Sequence, residues 1–557
     1  MINKYFYRVS LLLALTIAFG ACKKDGFLDV PPKGSLTDET TFSTESNADL
    51  FVNDIYNSLP DLNNEFEPLD QWTDNSHVGA NWMDGLFVRS NSLNPANWSS
   101  GPGYMFDWVN NYTIIRKCNV FLQQVAARKS NFSGDWYTKR TGEVHFLRAL
   151  FYSFLFENFG GVPLIAAPLN SQTQGNSIFV ARSSFDSTLA FIEADCDTAA
   201  SLLPLQPDQT GRATKGAAMT LKGAVELFVA SPLTNPSNDP AKWAKAAASN
   251  LAVMNLGVYS LFPDYSAMFL AANNWNSEQI FCRGYALPSN GHAREGHLGP
   301  TIVNGTEQAW GNLTPTQNLV DDYLMSNGKP ITDATSGYDP QHPYLNREKR
   351  FYQSIVYDSS VWQGYVIYTR IGGNNQIDLG STSDIGNTGY YARKTLDESI
   401  NGQTSLSTSP GISNYTYYRY AEVLLNYAEA QNEAVGPDQT VYDAVNAVRA
   451  RSSVPAVTPG LSQADMRTVL HRERRIELAF EDKRWYDIRR WDITTKGPAV
   501  LTNPTYGMLI QADASGHLTY NPRAVVYNNS FSEYMNWLPI PESVMEQNNK
   551  LVQNKGY

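Results

Sequence analysis

Apolar residues at helical spacing come in pairs along this chain, and glycine and proline cut one member of each pair from the next. The clearest pair lies late: Tyr418 to Ala434, a break at Gly436-Pro437, then Thr440 to Arg451. Its first helix aligns Tyr420, Leu424, Tyr427, Ala428 and Gln431, and its second offers Ala444 and Ala447 to a close crossing. The same reading predicts helices over Tyr112 to Ala127 and Val144 to Asn158, the latter stopped by Gly160-Gly161-Val162-Pro163. Ser184 to Leu203, Ala213 to Ala230 and Ala241 to Leu256 complete the set.

Helix-turn-helix units of roughly 34 residues with small residues at the crossing describe tetratricopeptide-like packing, here degenerate and interrupted. The fold class expected is mainly α. Between about Phe262 and Ser413 the periodicity dissolves into Gly, Asn, Pro, Ser and aromatic residues. Short strands are expected there at Gln279 to Cys282, Ser354 to Tyr357 and Tyr365 to Thr369.

The first residues are an address. Lys4 and Arg8 make a positive n-region, Leu11 to Phe19 a short apolar core, and Gly20-Ala21 stand directly before Cys22. The run is about half the ~20 residues that cross a bilayer. Residues 1–21 therefore read as a lipoprotein signal peptide, with Cys22 left as the lipidated N-terminus. Residues 22–41, rich in Gly, Pro, Ser, Thr and Asp, read as a lipid-anchored flexible tether, and 42–557 as one body with parts at about 42–260 and 261–557. Membrane attachment through the lipid alone is expected.

Net charge is -11, and no basic stripe appears, which argues against nucleic acid as a partner. Besides Cys22 there are Cys118, Cys196 and Cys282; the first two fall in step with neighbouring apolar helix positions, as small buried hydrophobes do. An odd number argues against a disulfide framework.

Enzyme signatures are weak. His292 and His297 flank Glu295 but lie five apart, where a zinc-binding helix needs four, and no P-loop, dinucleotide fingerprint or G-x-S-x-G elbow is present. Catalytic and metal-ligating residues are therefore both expected to be none. The charged stretch Arg472 to Trp491 reads as helical ion pairs, with Glu473, Glu477, Glu481, Arg484 and Asp487 on adjacent turns and Phe480, Trp485, Ile488 and Trp491 inward. The binding candidates are Trp72, Asp74, Asn75, Trp82, Arg89 and Trp98, clustered where no regular helix is evident. Flat rings stack on the C–H faces of sugars while amides, carboxylates and guanidinium groups meet the hydroxyls.

Taken together, several segments resemble the SusD/RagB family of surface lipoproteins of the Bacteroidetes. They are Cys22 with the stretch from Phe27 to Pro32; Trp108, Tyr112, Arg116 and Asn119; EVHFLRA from Glu143; FGGVPL from Phe159; Gly211-Arg212-Ala213-Thr214; and Thr314-Pro315-Thr316. The C-terminal half matches best, with YYRYAEVLLNYAEAQNE from Tyr417, RERRIELAFEDKRWYDIRRW from Arg472 and LPIPESVMEQNNKLVQNKGY from Leu538.

The resemblance implies a non-enzymatic glycan-binding lid over a SusC-like TonB-dependent transporter, lipid-anchored to the outer membrane and facing outward. It implies no cofactor beyond the lipid on Cys22, and leaves a structural calcium ion open. It also places ligand-binding rings in a second, middle region, which here contains Trp275, Tyr285 and Trp310, without matching individual positions. One departure concerns export: surface-bound relatives carry an acidic cluster after the lipidated cysteine, and Lys23-Lys24-Asp25 offers one acid. Two other readings stay open, peptide capture in the manner of RagB-like relatives and a surface hydrolase.

Overall fold

A computed structural model of the chain describes residues 37–77, 83–97, 105–380, 386–491 and 499–557. The signal peptide and Cys22 lie outside the described residues. The tether, expected to run to residue 41, gives way to folded structure at Thr37, whose hydroxyl and that of Thr40 form a capping box for helix α1 (Asp38–Thr41). Gln124 donates to Asp38 at 2.8 Å, and Phe42 is buried against Phe51 and Phe121, so these residues belong to the body.

The helical scaffold follows the sequence because side chains cap its ends, except that the helices expected from Tyr112 and Val144 begin earlier, at Trp108 and Gly134. After α2 (Glu45–Asn57) come α3 (Trp108–Ala127), α4 (Gly134–Phe159), α5 (Phe185–Leu202), α6 (Lys215–Ala230) and α7 (Pro240–Met254). Asp107, Ser133, Ser184, Thr214 and Asp239 accept from first-turn amides of α3 to α7 in turn. Gly160, at φ +80°, ends α4 where the sequence stops it. From Phe146 to Phe156 the α4 side chains are buried on every face, because α3, α5 and α6 all pack against it. Gly223 lets α6 approach α7: a Cβ there would stand 2.8 Å from the Asn250 amide.

The late pair is α9 (Tyr420–Val435) and α10 (Gln439–Arg451), which pack on each other and, through α9, on α6, α7 and α11 (Gln463–Glu477). The expected helix start at Tyr418 moves to Tyr420. Residues Tyr415–Arg419 instead form a strand antiparallel to Gln279–Arg283, pairing Tyr415 with Arg283 and Arg419 with Gln279. Between these halves lies the irregular region, holding the short helix α8 (Arg294–Leu298) and a hairpin of Ser360–Trp362 with Tyr365–Ile367. A longer hairpin, Thr505–Ala512 with Leu518–Tyr527, follows α12 (Arg484–Trp491).

The charged stretch departs from its expected form. Phe480 and Asp482 adopt left-handed backbone, φ +64° and +59°, and divide it between α11 and α12. Its acids find partners far away in sequence. Arg419 donates to Glu278 at 2.6 Å, Glu477 at 2.7 Å and Glu481 at 2.6 Å, and Arg350 donates to Glu473 at 2.6 Å and Glu477 at 3.1 Å. Arg451 joins Glu278 and Glu477, while Lys394 reaches Glu481 at 2.5 Å. Arg350, Lys394, Arg419 and the four glutamates are buried, and Arg451 is half-buried at the edge of the network. Burial alone would raise the Glu481 carboxyl, but the charges of Arg419 and Lys394 outweigh it and hold the group below its usual range.

Among the described residues no helix is long and apolar enough to cross a membrane. Cys118, Cys196 and Cys282 are free and buried, and burial pushes the Cys118 and Cys282 thiols up to about 12.

Candidate functional site

Trp72, Asp74, Asn75 and Arg89 are interior framework, which corrects the expectation that they form a binding face. Trp72 is fully buried between Phe106 and Trp485, at centroid distances of 5.1 and 5.4 Å, with its indole N–H on Glu67 at 3.1 Å. Asp74 accepts from Arg484 at 2.9 Å and pairs with Arg475 at 2.7 Å. Burial opposes its ionisation, yet these two guanidinium groups hold its carboxyl well below the usual carboxylate range. Asn75 donates to Asp70 at 2.8 Å and accepts from Arg475 at 2.9 Å. Arg89 donates to the Ser76 carbonyl at 2.8 Å, to Asn529 at 2.9 Å and to Thr505. Buried loops need polar side chains to satisfy their backbone, and these residues serve that need. Trp82 and Trp98 lie outside the described residues.

Tyr285 is also buried, contrary to its expected place on a ligand face. Its hydroxyl donates to Asp61 at 2.7 Å and its ring meets His292 edge-on at 5.0 Å. Two of the three middle rings do reach solvent, Trp275 at 41% and Trp310 at 36% exposure.

Trp310 is built into a platform. It stacks on His297, with centroids 4.8 Å apart and planes within 19°. Its backbone N–H donates to Gly296 O at 2.8 Å and that of Asn312 to His297 O at 3.0 Å, which ties this extended segment to the end of α8. Gly311, at φ +69°, makes the tie: a Cβ there would lie 2.7 Å from Thr301 Oγ1 and 2.9 Å from the Tyr391 ring. Phe66 meets His297 edge-on at 6.4 Å and packs on Met83. Burial, then the nearby Arg294 charge, lowers the His297 pKa to about 4, so the ring under Trp310 is neutral at ordinary pH. The Trp310 indole N–H has no protein acceptor among the described residues.

His297 and Phe66 were not among the binding candidates of the sequence, where His297 figured only in a rejected zinc pattern. His292 lies elsewhere, with Nε2 at 3.1 Å from Ser413 Oγ. An exposed indole backed by a neutral imidazole, with a free N–H at its edge, is suited to a C–H face that also carries hydroxyls.

The sequence profile described as "SusD family" matches residues 277–557. The chain belongs to the SusD family. A second SusD-like profile, described as "Starch-binding associating with outer membrane", matches residues 26–227. SusD-like protein P2 of Formosa agariphila is 24% identical to this chain, covering 87% of it and 90% of the relative. A SusD-like protein of Bacteroides ovatus is 24% identical over 88% of this chain and 83% of its own. Among solved SusD structures, a SusD-like carbohydrate binding protein of Bacteroides fragilis superposes with a TM-score of 0.77 at 26% identity, covering 92% of this chain and all of that one. Another SusD-like protein from Bacteroides fragilis gives 0.76 at 26% identity, over 94% and 99%. The mainly helical SusD architecture is thus shared across nearly the whole length.

Proposed function

We propose that this protein binds glycan without cleaving it, capturing an oligosaccharide on the Trp310–His297 platform. It is then a lipid-anchored lid at the outer face of the outer membrane, passing its ligand to a SusC-like TonB-dependent transporter. The observation that carries the reading is the outward indole of Trp310, stacked on a neutral ring and with its N–H unpaired. The "starch-binding" profile and the carbohydrate-binding description of the similar Bacteroides fragilis structure support it.

Retardation of the protein in native gels containing neutral polysaccharides, with no new reducing ends on prolonged incubation, is the expected result. Pull-down from detergent-solubilised membranes should bring a large β-barrel with it. Release of reducing ends would replace the lid by a hydrolase.

The platform also predicts a pH profile. A free histidine changes charge near 6.5, whereas His297 stays neutral until about pH 4 because its folded pKa is depressed. Retardation should therefore be constant from pH 5.5 to 8. A midpoint near 6.5 in the same gels would contradict the stacked, neutral geometry.

A further inference from the structure

Trp275 belongs to a second place on the surface. Its backbone lies at φ +61°, a left-handed conformation that strains a bulky residue. The bend is held by its N–H, which donates to Gln279 Oε1 at 2.6 Å, and by the Asn276 amide on Asn273 O at 2.9 Å. It lays the indole against two glycines. A Cβ on Gly284 would come 2.7 Å from Cζ2, and one on Gly211, itself at φ +91°, 3.1 Å from Cη2. The residue nevertheless stays 41% exposed, and its indole N–H meets no acceptor among the described residues. A tryptophan kept only for packing is buried throughout and pairs its N–H, as Trp72 does; Trp275 is packed only in part and leaves its N–H without an acceptor among the described residues.

The ring is the common wall of two cavities of about 320 and 450 Å³. Asn57 and Asn290 border the first, and Gln206, Tyr259 and Ser277 the second. The charged groups in their walls are already engaged. Arg212 donates to Gln209 at 2.6 Å, Glu143 at 2.9 Å and Asn53 at 3.0 Å. Arg283 donates to the carbonyls of Asn57 at 2.9 Å and Leu59 at 2.6 Å, with Asp61 at 3.8 Å from its Nε. Amides, hydroxyls and a free indole without an unmatched charge select a neutral ligand rich in hydroxyls.

We propose that the Trp275 cleft is a second glycan site, taking a neutral pyranose unit on the indole apart from the Trp310 platform; this rests on the glycan-binding reading. Asn290 borders the cleft and His297 carries the platform, and the seven residues from one to the other span at most about 25 Å. An oligosaccharide long enough to reach both would gain from each contact the effective concentration at the other.

The test is native affinity electrophoresis of the full-length protein in gels containing starch, barley β-glucan, galactomannan or arabinoxylan. On a polymer that retards the wild type, Trp275→Gly, which removes the ring and frees the left-handed backbone from strain, should bind about 10-fold more weakly with an unchanged melting temperature. Gly284→Ala, whose new Cβ displaces the ring, should weaken binding in the same direction, and Trp275→Gly with Trp310→Ala should bind more weakly than either alone. Undiminished binding by both Trp275→Gly and Gly284→Ala, with loss in Trp310→Ala, overturns the second site and leaves the platform standing. No retardation of the wild type on any of the four polymers overturns both.

Discussion

Arg419→Met should lower the unfolding free energy by about 3–5 kcal/mol, the range for breaking a buried ion pair by removing one partner. Three carboxylates, Glu278, Glu477 and Glu481, accept from this one guanidinium, and all four side chains are buried. Methionine fills much of the volume but returns none of the charge. Arg451 stays on Glu278 and Glu477, Arg350 on Glu477 and Lys394 on Glu481, but each of these carboxylates loses a hydrogen-bonded partner. Urea unfolding followed by tryptophan fluorescence measures the loss. Adding Glu481→Gln to Arg419→Met removes one of the stranded charges and should recover part of it, as coupling within one network requires. A midpoint equal to the wild type would show that the knot contributes nothing net.

Trp310→Ala should weaken glycan binding by about 2 kcal/mol, or roughly 30-fold in Kd, with little change in stability. The ring is exposed at 36%, and its removal leaves His297 on α8 with its lower face still packed by Phe66. Trp310→Phe keeps a stacking face but loses the indole N–H, and should fall between the two. Isothermal titration with a heptasaccharide of whichever polymer retards the wild type separates the three proteins. Equal affinity for wild type and Trp310→Ala would remove the platform from the binding surface.

Much of the scaffold was legible because helix ends are local. Ser184, Thr214 and Gly160 mark boundaries that the structure keeps to within a residue or two. The Thr505–Ala512 hairpin went unread, although Asp513-Ala514-Ser515-Gly516 stands between its strands and Gly516 adopts φ +85°. Its alternation is blurred by two register shifts.

The site was legible only in part. Trp275 and Trp310 were named, but Trp72, Asp74, Asn75 and Arg89 were drawn to the surface by lying in an irregular segment rich in rings and charges. Their burial depends on Arg475, Arg484 and Thr505, some 400 residues away, which no local pattern reveals. His297 shows the converse: its place beneath an exposed ring is set by Trp310, thirteen residues on, and by Phe66, far upstream.

The central charge knot also bears on when the molecule can fold. Arg350, Lys394, Arg419 and Arg451 wait for Glu473, Glu477 and Glu481, which a ribosome adds after them. Until then the middle of the molecule would bury unmatched charge if it closed, a cost that keeps it open. The three late glutamates thus act as a latch, closing the interior only once the cations that need them are already in place.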